Sequence, residues 1–311
     1  MIVLYDVIII GAGFAGYSAA IYTVRYNLKT LIVASEPGGV VTESHNVENY
    51  PGYRSISGFE LMQKFEHHAK DLGSEMIVGE VTCILKEGDI FKVHMQDSQV
   101  FDTKSVIIAS GTKKKKLGIP GQEQLDGRGV HYCATCDAPF YKNKVAAVVG
   151  GGNSAVHAAD LLRKHAKKVY IIYRGTELRA EPAQLEPVLA DPKVEVIYQT
   201  NVTEYRGDKF IGSVKLDRPH NGSDELALDG IFIEIGGIPS SAIASKLGIE
   251  VGKTGEIIVN QECETKVPGI LAAGDVTNTV LRQGVVAASM GAIAATTAYK
   301  YLTHKKMGSK W

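Results

Sequence analysis

Cys133 and Cys136 stand two residues apart in the stretch His131-Tyr132-Cys133-Ala134-Thr135-Cys136-Asp137-Ala138-Pro139-Phe140, and Asp137 follows the second sulfur directly. Such a pair can cycle between dithiol and disulfide, with the thiolate as the reactive form. A carboxylate beside it can give or take the proton when a thiolate leaves or attacks. The same spacing is also half of a zinc site. A zinc ribbon needs a second pair, however, and Cys83 and Cys263 are isolated singles. Redox chemistry without a metal is therefore the expectation, with Cys133, Cys136 and Asp137 as its catalytic residues.

The pair lies between two glycine-rich signatures. Tyr5-Asp6-Val7-Ile8-Ile9-Ile10 reads as a buried strand feeding Gly11-Ala12-Gly13-Phe14-Ala15-Gly16, followed by a helix to about Tyr26 and a strand over Thr30–Val33. Glu36 stands just past that strand, 20 residues after Gly16. In this context the first glycine permits the turn and the second admits a pyrophosphate. The third lets helix and strand pack closely, and the acid accepts from a ribose hydroxyl. The pattern repeats 139 residues later, with a strand over Val145–Val149, the turn Gly150-Gly151-Gly152-Asn153-Ser154-Ala155, a helix to about His165 and a strand over Val169–Tyr173. Here the position of the acid falls at Arg174 or Gly175, with Arg179 five residues beyond Arg174. A guanidinium in place of a carboxylate suits a ribose 2′-phosphate, which the carboxylate would repel.

The remaining elements frame these motifs. Asn46–Gly52 reads as a turn-rich loop, Ser57–Asp71 as a helix and Met76–Phe101 as a small β-meander. Val106–Thr112 reads as a buried strand ending in small residues, Gly111 among them, where a cofactor can come close. Lys113–Lys116 reads as an exposed linker at a domain boundary, and Ile235–Pro239 marks a second boundary. Further strands and hairpins, with a turn at Pro219–Gly222, occupy Val194–Ile235. Strands are expected over Glu256–Val259 and Gly269–Ala273, the latter running into Gly274-Asp275-Val276. Asp275 would meet a cofactor's polar tail there. A helix over Gly284–Leu302 and a tail with Lys305, Lys306 and Lys310, expected to be disordered, close the sequence.

Bulk properties narrow the function class. A chain of 311 residues points to two domains, and 34 basic against 34 acidic residues leave no global basic field for nucleic acid. Four cysteines make no disulfide framework, and a lone active pair suits the reducing cytoplasm. Met1–Ile10 carries Asp6 and no leading positive charge, so it reads as a strand rather than a signal peptide. Val285–Ala298 is too short to span a bilayer, so a soluble protein without a membrane partner is expected.

The order glycine motif, Cys-x-x-Cys-Asp, glycine motif, Gly-Asp resembles that of the low-molecular-weight thioredoxin reductases, members of the pyridine nucleotide-disulfide oxidoreductase family. The likeness covers nearly the whole chain. It is carried by Gly11–Gly16, Glu48–Gly52, Gly127–Val130, Cys133–Asp137, Gly150–Ala155, Leu178–Glu181 and Gly274–Val276 with Arg282 and Gln283. The resemblance implies an α/β fold of two Rossmann-like dinucleotide-binding domains, each with three ββα layers. An NAD(P)H domain of residues 113–242 would be inserted into a discontinuous FAD domain of residues 1–112 and 243–311.

The resemblance further implies FAD at Gly11, Gly13, Ala15, Gly16, Glu36, Asn49, Gly111, Asp275, Arg282 and Gln283. It places NADPH at Gly150, Gly152, Asn153, Ser154, Ala155, Arg174 and Arg179. Electrons would pass from NADPH through FAD and the Cys133/Cys136 disulfide to thioredoxin or a glutaredoxin-like protein, in a homodimer. Cys136 would lie nearer the flavin, Cys133 would attack the substrate and Asp137 would be the acid–base. One departure concerns the coenzyme. The family's His-Arg-Arg followed by a further arginine reads here Tyr173-Arg174-Gly175, then Arg179, with Glu177 gained. Losing one charge-assisted contact costs about 1–3 kcal/mol, which leaves NADH as an alternative coenzyme. Restoring it by Gly175→Arg is expected to raise the NADPH preference by roughly tenfold or more. Two other roles fit the motifs: a redox sensor that holds nucleotides without turnover, and the reductase partner of a peroxidase system.

Overall fold

Val7 and Ile9 face one way and Ile8 and Ile10 the other, and both sets are fully or nearly buried, as a strand covered on two faces requires. This strand, Leu4–Ile10, is the centre of a sheet ordered Glu75–Val78, Thr30–Ala34, Leu4–Ile10, Val100–Ile108, Ile90–Met95, Val81–Glu87, with Ile270–Ala272 also on Val100–Ile108. The pairings of Leu4–Ile10 with its two neighbours are parallel, and the hairpin edge is antiparallel. Val7, Ile9, Ile32 and Ile107 pack against Ala15, Ala19, Ala294 and Ala298 of helices Phe14–Arg25 and Gly284–Thr303. Ile8, Ile10, Val33 and Ile108 pack against Ile84, Phe91 and Val93 of the meander. Helices, parallel strands and meander form three layers, and the period-2 burial of one short strand ties them together.

The computed structural model describes residues 3–44 and 47–304; Asn46, at the start of the expected loop, and the lysine-bearing tail lie outside the described residues. The chain divides into a unit of Met1–Lys113 with Ile238–Trp311 and a unit of Lys114–Gly237. The connecting segments, Thr112–Lys114 and Gly237–Pro239, pair as a two-stranded ribbon.

The second unit repeats the scheme. Its sheet is ordered Val194–Tyr198, Lys168–Tyr173, Val145–Val149, Gly230–Ile233, Val130–His131, all parallel. Ala146, Val148 and Ile171 face Val156, Ala159 and Leu162 of helix Asn153–Arg163. Ala147, Val149 and Ile172 face Val202, Tyr205 and Val214 of an antiparallel three-stranded sheet, Val202–Gly207, Ile211–His220 and Ser223–Ala227. The turn expected at Pro219–Gly222 is the hairpin between the last two strands, with Asn221 and Gly222 both at positive φ.

Two expectations are corrected. Glu256–Val259 is not a strand: Ile257 makes single bridges to Val251 and Thr277. Its backbone N–H goes to Val276, and that of Ile258 goes to Glu250, so no continuous ladder forms on either side. The lysine run is not a free linker throughout. Lys114 donates to the Tyr132 carbonyl, and Lys116 pairs with Asp126, which also accepts from the Tyr132 hydroxyl at 2.7 Å. Both lysines therefore tie down the residue that precedes Cys133. Among the described residues no helix is long and apolar enough to cross a membrane.

Candidate active site

The Cys133–Cys136 pair is closed as a disulfide with its Cα atoms 5.4 Å apart. Cys133 is the cap of a single helical turn, Ala134–Asp137, and the Cys136 N–H donates to its Sγ at 3.2 Å. That donor favours negative charge on Cys133 once the bond opens. Cys133 is half-buried and Cys136 exposed, so activation and access favour different sulfurs. Phe140 follows, 71 % exposed beside the pair.

Asp137 is not solitary. Its Oδ2 lies 3.0 Å from His131 Nδ1, and His131 Nε2 lies 2.7 Å from the Tyr141 hydroxyl. The imidazole stacks on Phe232, with centroids 5.1 Å apart and planes 24° apart, and meets the Tyr141 ring edge-on at 5.6 Å. Burial pushes the His131 pKa down against the opposing pull of Asp137. Burial, then Asp137 and Asp229, push the Tyr141 pKa up. In the sequence His131 stands in the reactive stretch without an assigned role, and Tyr141 lies one residue beyond its end. The available signal was an imidazole and a phenol flanking Asp137, but only the fold turns both toward it.

In the first unit, a Cβ on Gly11 would lie 2.2 Å from the Ala109 carbonyl oxygen, and one on Gly16 would lie 1.9 Å from the Gly11 oxygen. At Gly13 nothing is nearer than the Gly38 oxygen at 4.0 Å. Gly13 caps helix Phe14–Arg25 without a side-chain hydrogen bond, and no acid stands in the first turn. Open approach and unspent N–H groups suit a pyrophosphate. Gly38 N–H donates to Ala12 at 2.8 Å, fixing the turn that carries exposed Glu36 beside the glycine motif.

Asn49 and Gln283, 234 residues apart, meet through an amide hydrogen bond of 3.0 Å. Gly274 approaches the helix start so closely that a Cβ there would be 3.0 Å from that of Ala15, which brings Asp275 to the same place. The Asp275 side chain has no hydrogen-bond partner among the described residues; burial raises its pKa, opposed by exposed Arg282. Gly111 has φ +61° and open space at its Cβ position. These features fit a dinucleotide with a polar, hydrogen-bonding tail.

In the second unit, a Cβ on Gly150 would lie 2.2 Å from the Glu234 oxygen, while Gly152 has nothing within 4 Å. Gly152 caps helix Asn153–Arg163 without a side-chain hydrogen bond or an acid in the first turn. Ala155 is buried and Ser154 exposed. Asn153 serves the architecture, since its side chain accepts from Glu181 N–H at 2.8 Å and donates to the Glu181 carboxylate at 3.1 Å. With Arg179 N–H donating to Gly151 at 2.6 Å, this draws the 178–181 segment onto the glycine turn. Arg174 and Arg179 are exposed and form no ion pair among the described residues.

The departure at Gly175 has a packing cause. A Cβ there would lie 2.6 Å from Tyr173 Cε1, and one on Gly151 would lie 2.5 Å from the other edge of the ring. Tyr173 is thus sandwiched between two glycines, with the Arg179 guanidinium 5.9 Å from its centroid.

Comparison with known proteins accords with this geometry. Residues 5–291 match the profile of the pyridine nucleotide-disulphide oxidoreductases. The thioredoxin reductase of Listeria innocua is 42% identical over 97% of this chain and 95% of its own length. The crystal structure of Lactococcus lactis thioredoxin reductase superposes with a TM-score of 0.92 at 40% identity, covering 97% of this chain and 100% of that one. For the T. acidophilum thioredoxin reductase the TM-score is 0.89 at 35% identity, over 96% and 98% of the two chains. The chain belongs to the pyridine nucleotide-disulphide oxidoreductase family, in the branch formed by the thioredoxin reductases.

Proposed function

We infer that the protein is a thioredoxin-disulfide reductase that draws electrons from NADPH through FAD. The observation that carries this reading is the closed Cys133–Cys136 disulfide beside Asp137, in a chain with two dinucleotide-type glycine turns. The first turn would hold FAD, with its pyrophosphate at Gly11, Gly13, Ala15 and Gly16 and a ribose at Glu36. Asn49, Gly111, Asp275, Arg282 and Gln283 would meet the remainder. The second turn would hold the coenzyme pyrophosphate at Gly150, Gly152, Ser154 and Ala155. Arg174 and Arg179 would grip the 2′-phosphate, with Asn153 holding the segment that carries Arg179. When bound, the flavin supplies a two-electron link between nicotinamide and disulfide.

The protein's own residues carry the exchange. In the dithiol form the Cys133 thiolate, stabilised by the Cys136 N–H, attacks one sulfur of the substrate disulfide. The substrate S–S bond breaks, and the departing thiolate takes a proton from Asp137. Cys136 then gives its thiol proton to Asp137 and attacks Cys133 Sγ, releasing the second substrate sulfur as a thiolate that is protonated in turn. Enzyme dithiol and substrate disulfide become enzyme disulfide and substrate dithiol, with two electrons and two protons transferred. Exposed Phe140 offers a protein substrate an apolar contact beside the sulfurs. The same reading includes a homodimer in the cytoplasm.

The test uses purified holoenzyme, thioredoxin and each reduced nicotinamide in turn. NADPH-dependent reduction of thioredoxin at many turnovers is expected, and Cys136→Ser should trap thioredoxin as a mixed disulfide on Cys133. A protein that binds both nucleotides yet turns over no protein disulfide is a sensor, and the reading is then wrong.

A further inference from the structure

We propose that His131 is a positioning residue for disulfide exchange: through Nδ1 it holds the Asp137 carboxylate, and through Nε2 it is held by Tyr141. The proposal rests on the reading of Asp137 as the acid–base group. The geometry comes from three elements of one unit. His131 ends the short parallel strand Val130–His131, directly opposite Phe232 in register. Stacking on Phe232 and the edge contact with Tyr141 fix the plane of the imidazole, so its two nitrogens have defined directions. One points at Asp137 Oδ2 and the other at the Tyr141 hydroxyl.

The proton inventory then allows one arrangement. Tyr141 is buried and keeps its phenolic proton, because burial and the nearby carboxylates of Asp137 and Asp229 disfavour the phenolate. It donates to Nε2, so the proton of the neutral imidazole is on Nδ1, where it donates to Asp137. Burial disfavours the imidazolium, which keeps this tautomer in place near neutral pH. The ionisable groups around the ring are Asp137 from the helical turn, Tyr141 from the turn Ala138–Tyr141, and Asp229 before the strand carrying Phe232. Lys144 is 5.5 Å from the Tyr141 ring centroid. Lys144 and Asp229 act on Tyr141, not on the imidazole.

The consequence for the reaction is specific. His131 occupies Oδ2, while Oδ1 has no partner among the described residues and is left to exchange protons with sulfur. The N–H of His131 stays on Oδ2, so the carboxyl group keeps its orientation each time it protonates a departing thiolate. His131 keeps its own proton throughout, so the exchange of two protons between Asp137 and the sulfurs balances without it.

The experiment follows both half-reactions of the holoenzyme by stopped flow from pH 5.5 to 9. Reduction of the bound flavin by NADPH serves as the control, and reaction of the dithiol enzyme with oxidised thioredoxin is the readout. His131→Phe keeps the stacking and removes both nitrogens. It should leave the control unchanged, slow the thioredoxin step roughly tenfold or more and displace the alkaline limb of its pH profile. His131→Asn, with an amide donor near the Nδ1 position, should restore the limb. Tyr141→Phe deletes a single hydroxyl with little risk to folding and should slow the same step about two- to fivefold. Asp137→Asn should abolish the limb, and adding His131→Phe to it should cost nothing further.

A wild-type profile in both His131→Phe and Tyr141→Phe, or multiplicative losses in the double variant, would overturn the role of His131 while leaving that of Asp137. Wild-type exchange in Asp137→Asn would instead overturn the acid–base reading, and His131 with it.

Discussion

The two glycine turns use the same backbone device for different ends. In each, the first glycine is forced by a carbonyl oxygen that a Cβ would meet at 2.2 Å, from Ala109 in one and Glu234 in the other. In each, the middle glycine is open and the helix start carries no acid. They part at the third position and at the end of the next strand. Gly16 tolerates no Cβ, whereas its counterpart Ala155 packs one in the core. Beyond the first turn stands Glu36; beyond the second stands Tyr173, its ring fitted between Gly151 and Gly175. On the proposed reading, phosphate binding would be a backbone property common to both units, and coenzyme choice a side-chain property set one strand later.

The largest effects should come from breaking the common device on one side at a time. Gly11→Ala drives a methyl into the Ala109 carbonyl from a φ of +110°, and the protein should purify without flavin colour. Gly150→Ala should keep the flavin spectrum yet lose NADPH-driven flavin reduction by roughly a hundredfold or more, since a clash of this kind costs several kcal/mol. Equal loss of flavin in both variants would mean that the two turns are not independent sites.

Removing the arginines should come next in size. Arg174→Ala and Arg179→Ala should each lower kcat/KM for NADPH by about tenfold or more, the size of a charge-assisted contact, and leave NADH within about twofold. Parallel losses with both coenzymes would place these side chains away from the 2′-phosphate.

Gly175 couples the arginines to the packing of Tyr173. From sequence alone, Gly175→Arg restores a lost contact. The structure adds that any Cβ at 175 displaces the Tyr173 ring. The single variant should therefore gain less than the roughly tenfold expected of a new contact, and Tyr173→His with Gly175→Arg should gain all of it. The ratio of kcat/KM for NADPH to that for NADH measures both. A full gain from the single variant would show that the ring moves aside at no cost.

The smallest effect is a difference in acid response. The folded pKa of His131 is lowered, so the unfolded chain binds its proton first as pH falls. Its contribution to stability is intact above the ordinary histidine value of about 6.5 and is lost as pH falls from there to the depressed folded value. On acidification from pH 7.5 to 5, His131→Phe should lose less of the second unit's stability than wild type, by about 1 kcal/mol or less, as followed by hydrogen exchange in Lys114–Gly237. An unchanged pH dependence would mean that His131 binds its proton alike in the folded and unfolded chain.

The sequence made legible what depends on local backbone geometry and period. Strand, glycine turn and helix were readable twice over, because the Gly-x-Gly-x-x-Gly spacing and the buried β-branched runs are local constraints. Asn49 and Gln283 were each placed at the flavin by resemblance, but their hydrogen bond joins residues 234 apart, which no local pattern encodes. The Lys113–Lys116 run looked solvated because four adjacent charges carry no sign of their partners. Asp126 and the Tyr132 carbonyl reach Lys116 and Lys114 only once the fold has formed. Glu256–Val259 has a strand's composition but lacks neighbours for a ladder. The relay around Asp137 was hidden for a related reason. His131 and Tyr141 are near in sequence, yet the stacking that aims the imidazole comes from Phe232, about a hundred residues on.

If the Cys133–Cys136 disulfide stores electrons on their way to the substrate, those electrons can be counted directly. Anaerobic reductive titration of the holoenzyme should take up four electrons per chain, two at the flavin and two at the disulfide. Cys133→Ser should take up two, retain a flavin that NADPH reduces, and turn over no thioredoxin. Uptake of four electrons by Cys133→Ser, or normal thioredoxin turnover in that variant, would show that electrons do not pass through this disulfide.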